Sequence, residues 1–355
     1  MWAGFAAYLG VLVSAPALGR TIVWSTIVLL VTAFALAPVL ISHDVFSYVD
    51  YARLGVVHGL DPYVHRPIEV PSDPAFADVT WTETTSAYGP LFTLATYPLA
   101  WLGVGLAVAV LKAVAALSVL GLAALAGRLA SPRGVDPLRA AAFVALNPLV
   151  LVHIVGGAHN DGVMMLLAML GVAAVLSRRE ASGGAALVAA VAVKASAAFI
   201  APFALVGAAR QGSVRLLLGG AAAAAAAIAV AAYLAFGWDW TRGLSHAGEN
   251  QHKTSHLSVP VTLARIAGID AHPVRTIALV LFAALVAYLL VWTWRGGDWV
   301  RAAAWAALGL LLATSWLLPW YLLWPLPLVA ISRDRPLQVL TLALTAYQLG
   351  ARIPL

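Results

Sequence analysis

The stretch Ser42–Tyr63, SHDVFSYVDYARLGVVHGLDPY, organises the rest of the chain, and it follows directly on an apolar run at 21–41. Ser42 is a residue type that caps helix N-termini, and Gly59 is typical of a helix end. Between them, apolar side chains recur at helical spacing and form one stripe: Val45, Tyr48, Val49, Ala52 and Val56. The pattern predicts a short amphipathic helix that follows a membrane-spanning helix and lies on the membrane surface.

Asp44 stands in the first turn of that predicted helix, where the bilayer meets water. The positive end of the helix dipole favours an ionised carboxylate there. A charged carboxylate at that depth can serve as a general base. The alternative interpretation is that Asp44 only stabilises the start of the helix, and the residues alone leave both interpretations open.

The composition indicates a membrane protein. Of 355 residues, 62% are hydrophobic and 10% are charged, whereas a soluble domain carries roughly 25% charged residues. The absence of cysteine excludes disulfides and thiolate zinc sites. The net charge of +6 is spread over many short loops, so it indicates no nucleic-acid partner. The first apolar segment lacks the basic start of a cleavable signal peptide.

Apolar segments occur along the whole chain, many near the length of about 20 residues that a membrane-spanning helix needs. The longer segments are 3–19, 21–41, 104–127, 137–156, 161–177, 214–236, 273–294 and 301–317, and the shorter ones are 88–103, 183–194, 196–209, 319–331 and 336–350. The sequence therefore predicts an all-α polytopic membrane protein that forms a single domain over 1–355. Its two long loops are 42–103 and 237–272, and Lys194 marks a break between two short helices.

The basic residues predict the orientation in the membrane. With the loop 42–103 outside and the segments alternating, twelve basic residues lie in cytoplasmic loops and seven lie outside, as the positive-inside rule requires. The cytoplasmic set is Arg20, Arg128, Arg133, Arg139, Arg178, Arg179, Arg210, Arg215, Arg295, Arg301, Arg333 and Arg335. This assignment requires that 183–194 and 196–209 cross the membrane separately. Most acidic residues and histidines then lie on the outer face.

Two polar groups stand near the predicted outer face. His159, Asn160 and Asp161 follow a pair of glycines, and they either cap the next helix or bind the hydroxyls of a sugar. Lys194 is a cation at the edge of the apolar zone, which is costly unless it meets an anion. A phosphate at the membrane surface is the natural partner, and extension of the side chain into water is the alternative.

The loop 237–272 and the aromatic cluster near Pro319 each allow two interpretations. The loop is rich in histidine, lysine and arginine and is predicted to bind an anion, with zinc at His252 and His256 as an alternative that lacks a clear third ligand. Trp320 and Tyr321 are either residues of a membrane-interface aromatic belt or a surface for stacking a sugar.

Five segments together resemble the bacterial polyprenol-phosphate-mannose-dependent α-(1→6) mannosyltransferases of the GT-C superfamily. They are SHDVFSYVDYARL with GLDPY (42–63), SAYGPLFTL (86–94), LNPLVLVHIVGGAHND (146–161), VAVKASA (191–197) and LPWYLLWPLPL (318–328). No one of them is specific, but all five occur in the family's order over most of the chain. The departures are Thr85-Ser86-Ala87, where the family has a proline-containing lead-in, and a short stretch before Asp44.

The resemblance implies a GT-C-like bundle of about 11–13 transmembrane helices in the cytoplasmic membrane, with its active site facing outward. It implies inverting transfer of a β-mannosyl group from a polyprenyl-phosphate donor to a glycan or glycolipid acceptor, with Asp44 as the general base. The implied donor-phosphate ligands are Lys194, His252, Lys253, His256 and Arg265. The implied sugar and acceptor contacts are Tyr48, Tyr63, Tyr88, His159, Asn160, Asp161, Trp320 and Tyr321. It implies membrane lipids as further partners and no cofactor, with a divalent ion left open.

Two alternatives remain at this point. A translocase for lipid-linked sugars would share the many spans, but its charged groups would lie near the bilayer centre at the interface of two repeats, and the sequence shows no convincing internal repeat. The second alternative keeps the fold and the reaction but uses glucose or arabinose instead of mannose, because the residues do not reveal which hydroxyl stereochemistry they recognise.

Overall fold

The computed structural model describes residues 2–243 and 253–351, and within these ranges the chain is helical and contains no β-strand. The α-helices are α1 Trp2–Leu36, α2 Asp44–Val56, α3 Pro90–Thr96, α4 Val104–Ala130, α5 Pro137–Ala145, α6 Asp161–Leu176, α7 Glu180–Val193, α8 Ala201–Arg210, α9 Val214–Phe236, α10 Val259–Ala267, α11 Ala271–Trp294, α12 Trp299–Ala313, α13 Leu326–Ala330 and α14 Arg335–Gly350. The longer irregular helical segments are Tyr97–Trp101, Val150–Val155, Ala195–Ile200 and Pro319–Leu323. The predicted all-α class is confirmed.

Among the described residues, four helices are long and apolar enough to cross a membrane, namely α1, α4, α9 and α11. Shorter apolar helices are α6, α7, Ala195–Arg210 and α12. Helices α9 and α11 expose large apolar side chains along their length, including Leu216, Leu234, Val280 and Leu281. Such surfaces are unfavourable in water and suit the hydrocarbon of a bilayer. The chain is thus a polytopic membrane protein, while the total of 11–13 crossings stays a prediction.

Helix α1 consists of two halves that meet at Gly19. This glycine has φ 77° and ψ 166°, a backbone conformation that side chains with a Cβ disfavour. The break falls between the predicted segments 3–19 and 21–41. Two hydrogen bonds show that the first half runs antiparallel to α5: Tyr8 Oη to Phe143 O at 2.8 Å and Arg139 Nε to Leu12 O at 2.9 Å.

Helices α7 and α9 pack with their backbones in close approach because glycines line their contact. A Cβ on Gly184 would lie 2.0 Å from Leu217 O, and a Cβ on Gly220 would lie 1.9 Å from Ala181 O. Small residues at helix contacts are the usual way in which membrane helices gain close packing. This contact fixes α7, whose C-terminal end reaches the site described below.

Several predicted segments are interrupted in the structure. The break at Lys194 is present, because Lys194 has an extended backbone between α7 and the helix Ala195–Arg210. The predicted span 137–156 is divided: α5 ends at Ala145, and a π-helical segment follows at Val150–Val155. Pro148 lies between the two pieces and has no N–H group with which to continue a helix.

The ends of several helices meet on the face of the bundle opposite Lys194. Arg178 donates a hydrogen bond to Gln211 Oε1, which joins the start of α7 to the end of α8. Arg210 donates to Thr293 O at 3.3 Å, which brings the end of α11 to the same place. Helix α7 therefore leads away from this face to Lys194, and the helix Ala195–Arg210 returns to it.

Candidate functional site

A cavity of about 300 Å³ lies among the first long loop, the break at Lys194 and the segment that follows α12. Its lining includes carboxylate, ammonium, hydroxyl and aromatic groups: Asp44, Tyr51, Trp81, Thr84, Thr85, Tyr88, Lys194, Ser196, Lys253, Thr314, Trp316, Trp320, Tyr321 and Trp324. Pockets of this size with a few polar groups among apolar ones are typical binding sites for small molecules.

Asp44 is the first residue of α2 and lines the cavity. The helix begins one residue later than the Ser42 cap predicts, with His43 at the N-cap position, and Ser42 Oγ accepts a hydrogen bond from the Asp44 N–H at 3.4 Å. Trp81 Nε1 donates to Asp44 Oδ1 at 3.0 Å. Burial raises the pKa of Asp44 above its ordinary value, against the lowering effects of the Trp81 hydrogen bond and the Lys194 charge. A raised carboxyl pKa brings this group closer to the operating range of a general base.

Helix α2 is enclosed by the protein on both of its faces. The predicted apolar stripe is largely buried, and so are Ser47, Asp50 and Tyr51 on the other face. Tyr51 Oη donates to Thr84 O at 2.8 Å, which ties the helix to the end of the first long loop. The loop therefore covers the face that the sequence pattern assigns to water, and the position of Asp44 is fixed by packing.

An ion cluster closes the first long loop onto α2. Arg53 Nε lies 2.8 Å from Oδ1 and 3.0 Å from Oδ2 of the buried Asp73. His58 Nε2 lies 2.7 Å from Asp73 Oδ2. Asp50 is buried beside this cluster, and burial followed by the negative charge of Asp73 raises the pKa of Asp50 to about 7.

Asp161, Lys194 and Trp324 form a second cluster that joins three separate parts of the chain. Asp161 is the first residue of α6 and is fully buried. Its Oδ2 accepts from Lys194 Nζ at 2.7 Å, and its Oδ1 accepts from Trp324 Nε1 at 2.7 Å. Lys194 and Trp324 both line the cavity. Asp161 thus lies behind the cavity wall and fixes the positions of the Lys194 ammonium and the Trp324 indole, which line the cavity.

Gly89 places Tyr88 beside Lys194. The Gly89 N–H donates to Val193 O at 3.0 Å, and a Cβ on Gly89 would lie 2.1 Å from Ala192 O. The start of α3 can therefore approach the end of α7 only because residue 89 has no side chain. This contact brings the ring of Tyr88 and the ammonium of Lys194 into one cavity.

His159 and Asn160 lie behind the cavity wall next to Asp44. The His159 ring is fully buried, and its Nδ1 lies 3.7 Å from Asp44 Oδ2. The Asn160 side chain makes no hydrogen bond that caps α6. Asn160 therefore occupies the predicted N-cap position of α6, but its buried amide has no capping partner.

Aromatic rings form much of the cavity wall, and several of them are packed on a neighbouring ring. Trp320 stacks on His159 with 3.9 Å between ring centroids, and Tyr321 stacks on Trp324 with 4.2 Å between centroids. These rings present flat apolar faces with fixed positions. Flat aromatic faces of this kind are suited to stacking against the apolar side of a ring-shaped ligand.

Lys253 joins the second long loop to the cavity. Its ammonium group lies 5.4 Å from the ring centroid of Trp81 and 5.8 Å from that of Trp316. Both distances are within cation–π range. Trp81 also donates a hydrogen bond to Asp44. The Trp81 indole therefore contacts both Lys253 of the second long loop and Asp44 of the first.

The structure brings together six of the predicted site residues in the cavity lining: Asp44, Tyr88, Lys194, Lys253, Trp320 and Tyr321. Three others, His159, Asn160 and Asp161, are buried directly behind it. These nine residues come from six separate parts of the chain, namely the five segments that carry the resemblance and the loop 237–272.

The other predicted contacts do not line this cavity. Tyr48 and Tyr63 are buried and do not line the cavity; instead they support Tyr88, the first through an edge-to-face ring contact at 4.8 Å and the second through a 3.0 Å hydrogen bond to Tyr88 O. His256 and Arg265 are exposed and lie outside the lining. The predicted ligand His252 lies outside the described residues.

Some lining residues were not predicted as site residues. Trp81, Thr84 and Trp316 lie in irregular segments where no periodic pattern marks an inward face. Trp324 belongs to a motif that the sequence does reveal, but its hydrogen bond to Asp161 joins residues 163 positions apart. An aromatic residue in a long polar loop is the one local signal that could have identified Trp81.

No three His, Asp or Glu side chains among the described residues come together to hold a metal ion. The zinc alternative for His252 and His256 rests on a residue outside those ranges. The ionic groups that do line the cavity are a carboxylate, Asp44, and two ammonium groups, Lys194 and Lys253. This combination suits a ligand that carries both a hydroxyl group and a phosphate.

Comparisons with known proteins relate the chain to one family. Residues 1–210 match the family model MptA_B, described as alpha-(1->6)-mannopyranosyltransferase, N-terminal domain. The chain is 31% identical over 335 residues to alpha-(1->6)-mannopyranosyltransferase A of Mycobacterium tuberculosis, covering 84% of this chain and 64% of that protein. It is 30% identical over 202 residues to the protein of the same name from Corynebacterium glutamicum, covering 54% and 39% respectively. The chain thus spans less than two thirds of the length of these relatives.

Proposed function

The chain belongs to the alpha-(1->6)-mannopyranosyltransferase family, and we propose that it transfers a mannosyl group from a polyprenyl-phosphate donor to a glycan or glycolipid acceptor. Transfer inverts the anomeric configuration. The oxygen of the acceptor hydroxyl attacks the anomeric carbon, the bond between that carbon and the phosphate oxygen breaks, and the polyprenyl phosphate leaves with the bonding electrons. The acceptor proton passes to Asp44.

The observation that carries the proposal is the placement of Asp44 and Lys194 in one cavity. Asp44 has one oxygen held by Trp81 and is the carboxylate that lines the cavity. Lys194 supplies a positive charge in the same lining. An inverting transfer needs a base on the side of the acceptor and positive charge on the side of the leaving group, and this arrangement supports both roles.

The phosphate of the donor is proposed to bind at the break after α7. The first N–H groups of a helix have no partner within that helix and attract anions. The helix Ala195–Arg210 begins at Ala195 and Ser196, which line the cavity next to the ammonium of Lys194. Lys253 supplies a second positive charge across the cavity. These groups together stabilise the charge that develops as the phosphate leaves.

The mannosyl ring is proposed to lie against the aromatic wall. Tyr321 and Trp320 line the cavity and are held in place by Trp324 and His159. A pyranose has one face of C–H groups that packs on an aromatic ring, while its hydroxyls need hydrogen-bond partners. Ser196, Thr84 and Thr314 provide hydroxyls in the same lining. The rigid wall would orient the anomeric carbon between the base and the phosphate site.

The proposed location is the outer face of the cytoplasmic membrane. The donor is a lipid, so the cavity must be reached from the bilayer as well as from water. The excess of basic residues on the face that carries Arg178 supports a cytoplasmic position for that face. The cavity lies at the other face, where an acceptor glycan outside the cell could enter it.

The experiment uses membranes that contain the chain as it exists here, radiolabelled polyprenyl-phosphate mannose and an α-(1→6)-linked mannose oligosaccharide as acceptor. We expect transfer of label and a new α-(1→6) linkage on product analysis. The variant Asp44→Asn keeps the size of the side chain and removes its basicity, so the rate should fall by about 10²–10⁴-fold while donor binding persists. Transfer by Asp44→Asn at the wild-type rate would overturn the proposed role of Asp44.

A further inference from the structure

Two buried side chains beside Asp44 have polar atoms without hydrogen-bond partners among the described residues. They are both ring nitrogens of His159 and both amide atoms of Asn160. An unsatisfied buried polar atom destabilises the folded protein, and native structures contain few of them. Two such side chains in succession, at the wall of the cavity, therefore indicate a functional reason for their presence.

The geometry singles out His159. Its Nδ1 lies 3.7 Å from Asp44 Oδ2, while the other oxygen of Asp44 accepts from Trp81 at 3.0 Å. A separation of 3.7 Å is too long for a hydrogen bond, but a movement of less than about 1 Å would form one. Catalytic hydrogen bonds are often long without substrate and shorten in the complex.

Trp320 fixes the plane of the imidazole. The two rings are stacked with 3.9 Å between centroids and 21° between planes. Trp320 also lines the cavity, so a sugar ring that contacts Trp320 there would act on the same indole that holds the imidazole. The stack connects occupation of the cavity to the position of the imidazole, and thus to its distance from Asp44.

We propose that His159 is a positioning residue for Asp44, whose Nδ1–H donates a hydrogen bond to Asp44 Oδ2 during transfer and holds the carboxylate toward the acceptor hydroxyl. This inference rests on the proposed function, because it assigns a partner to the proposed base. His159 keeps its own proton throughout, and the proton of the acceptor goes to Asp44. No other bond changes.

The electrostatic surroundings fit a neutral donor. Burial, then the charges of Lys194 and His153, lower the pKa of His159 well below its ordinary value. A neutral imidazole has one N–H to donate, and the tautomer with the proton on Nδ1 is the one that the Asp44 carboxylate selects. The charged groups that act on Asp44 itself are Lys194 and Asp161.

Two substitutions separate the hydrogen bond from the stack. His159→Phe keeps a ring on Trp320 and removes the N–H, whereas His159→Asn removes the ring and keeps an N–H at the δ position. Hydrogen bonds to charged groups are the stronger class, so we expect His159→Phe to lower kcat by about 10–100-fold. His159→Asn should retain more activity than His159→Phe, with the donor KM little changed in both.

The pH profile supplies a readout that a packing role would not move. A hydrogen bond from His159 favours the ionised form of Asp44, so its loss should raise the pKa of Asp44 and shift the acidic limb of kcat/KM to higher pH in His159→Phe. When Asp44→Asn is already present, adding His159→Phe should cause no further loss of kcat. The inference would be overturned if His159→Phe were active with an unshifted pH profile of kcat/KM. It would also be overturned if His159→Phe were active while His159→Asn was inactive.

A measurement without substitution at residue 159 covers the case in which both variants fail to fold. Hydrogen exchange at the imidazole C2 position, followed by mass spectrometry, reports the titration of each histidine. We expect the exchange midpoint of His159, measured with the donor bound, to differ between the wild type and Asp44→Asn, and equal midpoints in that complex would overturn the proposal. A failure of the proposed function would give a different result, because the Asp44→Asn variant would then transfer mannose at the full rate.

Discussion

Asp44 and Asp161 each begin a helix, but their surroundings suit different tasks. Both oxygens of Asp161 are occupied, by Lys194 at 2.7 Å and Trp324 at 2.7 Å, and the side chain is fully buried. Protonation of Asp161 would weaken an ion pair in a region of low dielectric. Asp44 has one hydrogen bond to a protein side chain on Oδ1 and lines the cavity. At the scale of single residues, Asp44 is therefore the better candidate for accepting a proton.

The first residue-scale prediction concerns the two roles of Lys194, which neutralises Asp161 and is proposed to bind phosphate. Lys194→Ala alone should destabilise the protein by about 3–5 kcal/mol, because it leaves a buried carboxylate without its cation. The double variant Lys194→Met with Asp161→Asn removes both charges and keeps an oxygen for Trp324. We expect its melting temperature to recover while the donor KM rises and turnover falls.

The matched control for Lys194 is Lys194→Arg, which keeps the charge but changes a compact ammonium group into a planar fork. It should restore part of the donor affinity. If the double variant transferred mannose with wild-type kinetics, Lys194 would serve only to neutralise Asp161.

The second residue-scale prediction concerns Asp50. The folded-state pKa of Asp50 is about 7 and lies above the ordinary value of 3.8. At a pH between these two values, the folded protein therefore keeps a proton on Asp50 that the unfolded chain has lost. Stability from this group is complete below the ordinary value and is lost as pH rises toward 7. Asp50→Asn removes that loss, so its melting temperature should exceed that of the wild type by more at pH 8 than at pH 5.

The control for Asp50 is Asp78→Asn, which changes an exposed carboxyl on the same loop. It should leave the pH dependence of the melting temperature as in the wild type. Thermal unfolding in detergent from pH 4 to pH 8 measures all three proteins, and parallel curves for Asp50→Asn and the wild type would contradict the prediction.

At the scale of elements, the sequence predicts the helices well because their signals are local. The apolar run 214–236 coincides with α9, and the lone cation at Lys194 marks a real break between two helices. The partners of that cation could not be predicted. Asp161 lies 33 positions away from Lys194 and 163 from Trp324, and the pairing depends on how α6, α7 and the segment after α12 pack.

The first long loop shows a second limit of the sequence. Its helix α2 was predicted to expose one face to water, yet Ser47 and Tyr51 on that face are buried. The hydrophobic pattern of one helix cannot show that a polar loop will fold over it. That covering depends on Asp73 and its bonds to Arg53 and His58, which join residues that no periodicity connects.

The element-scale prediction tests the contact between α3 and α7. Gly89→Ala should destabilise the protein and lower transfer, because the added Cβ would lie 2.1 Å from the backbone oxygen of Ala192 and would push Tyr88 away from Lys194. Such overpacking typically costs about 1–3 kcal/mol. The measurements are the melting temperature and the donor KM.

Gly103 offers a matched control for Gly89. Gly103 also directly precedes a helix and has an extended backbone, with φ −62°. A Cβ at Gly103 would meet nothing within 4 Å. Gly103→Ala should be close to neutral. Equal effects of the two substitutions would mean that the close approach at Gly89 does not position the site.

At the scale of the whole molecule, charge is divided between two faces. Arg178 and Arg210 lie together at one face, through their bonds to Gln211 and to Thr293 O. Asp44 and the other polar residues of the cavity lie at the opposite face. A protein whose cavity faced both sides in turn would need its charged groups near the middle of the bilayer. The one-sided arrangement favours a transferase that works at a single membrane surface.

The whole-molecule prediction is that the cavity face lies outside the cell. The chain has no cysteine, so single cysteines can be introduced at exposed positions and labelled without background. Thr80 lies in the first long loop, and Ser131 lies in the connection next to Arg133; both are exposed. In intact cells stripped of their wall, a membrane-impermeant maleimide should label Thr80→Cys, and it should label Ser131→Cys only after the membrane is permeabilised. The physical reason is that basic loops remain on the cytoplasmic side during insertion. Labelling of both positions from outside would contradict the two-faced arrangement, and labelling of Ser131→Cys alone would place the cavity in the cytoplasm, where an acceptor glycan outside the cell could not reach it.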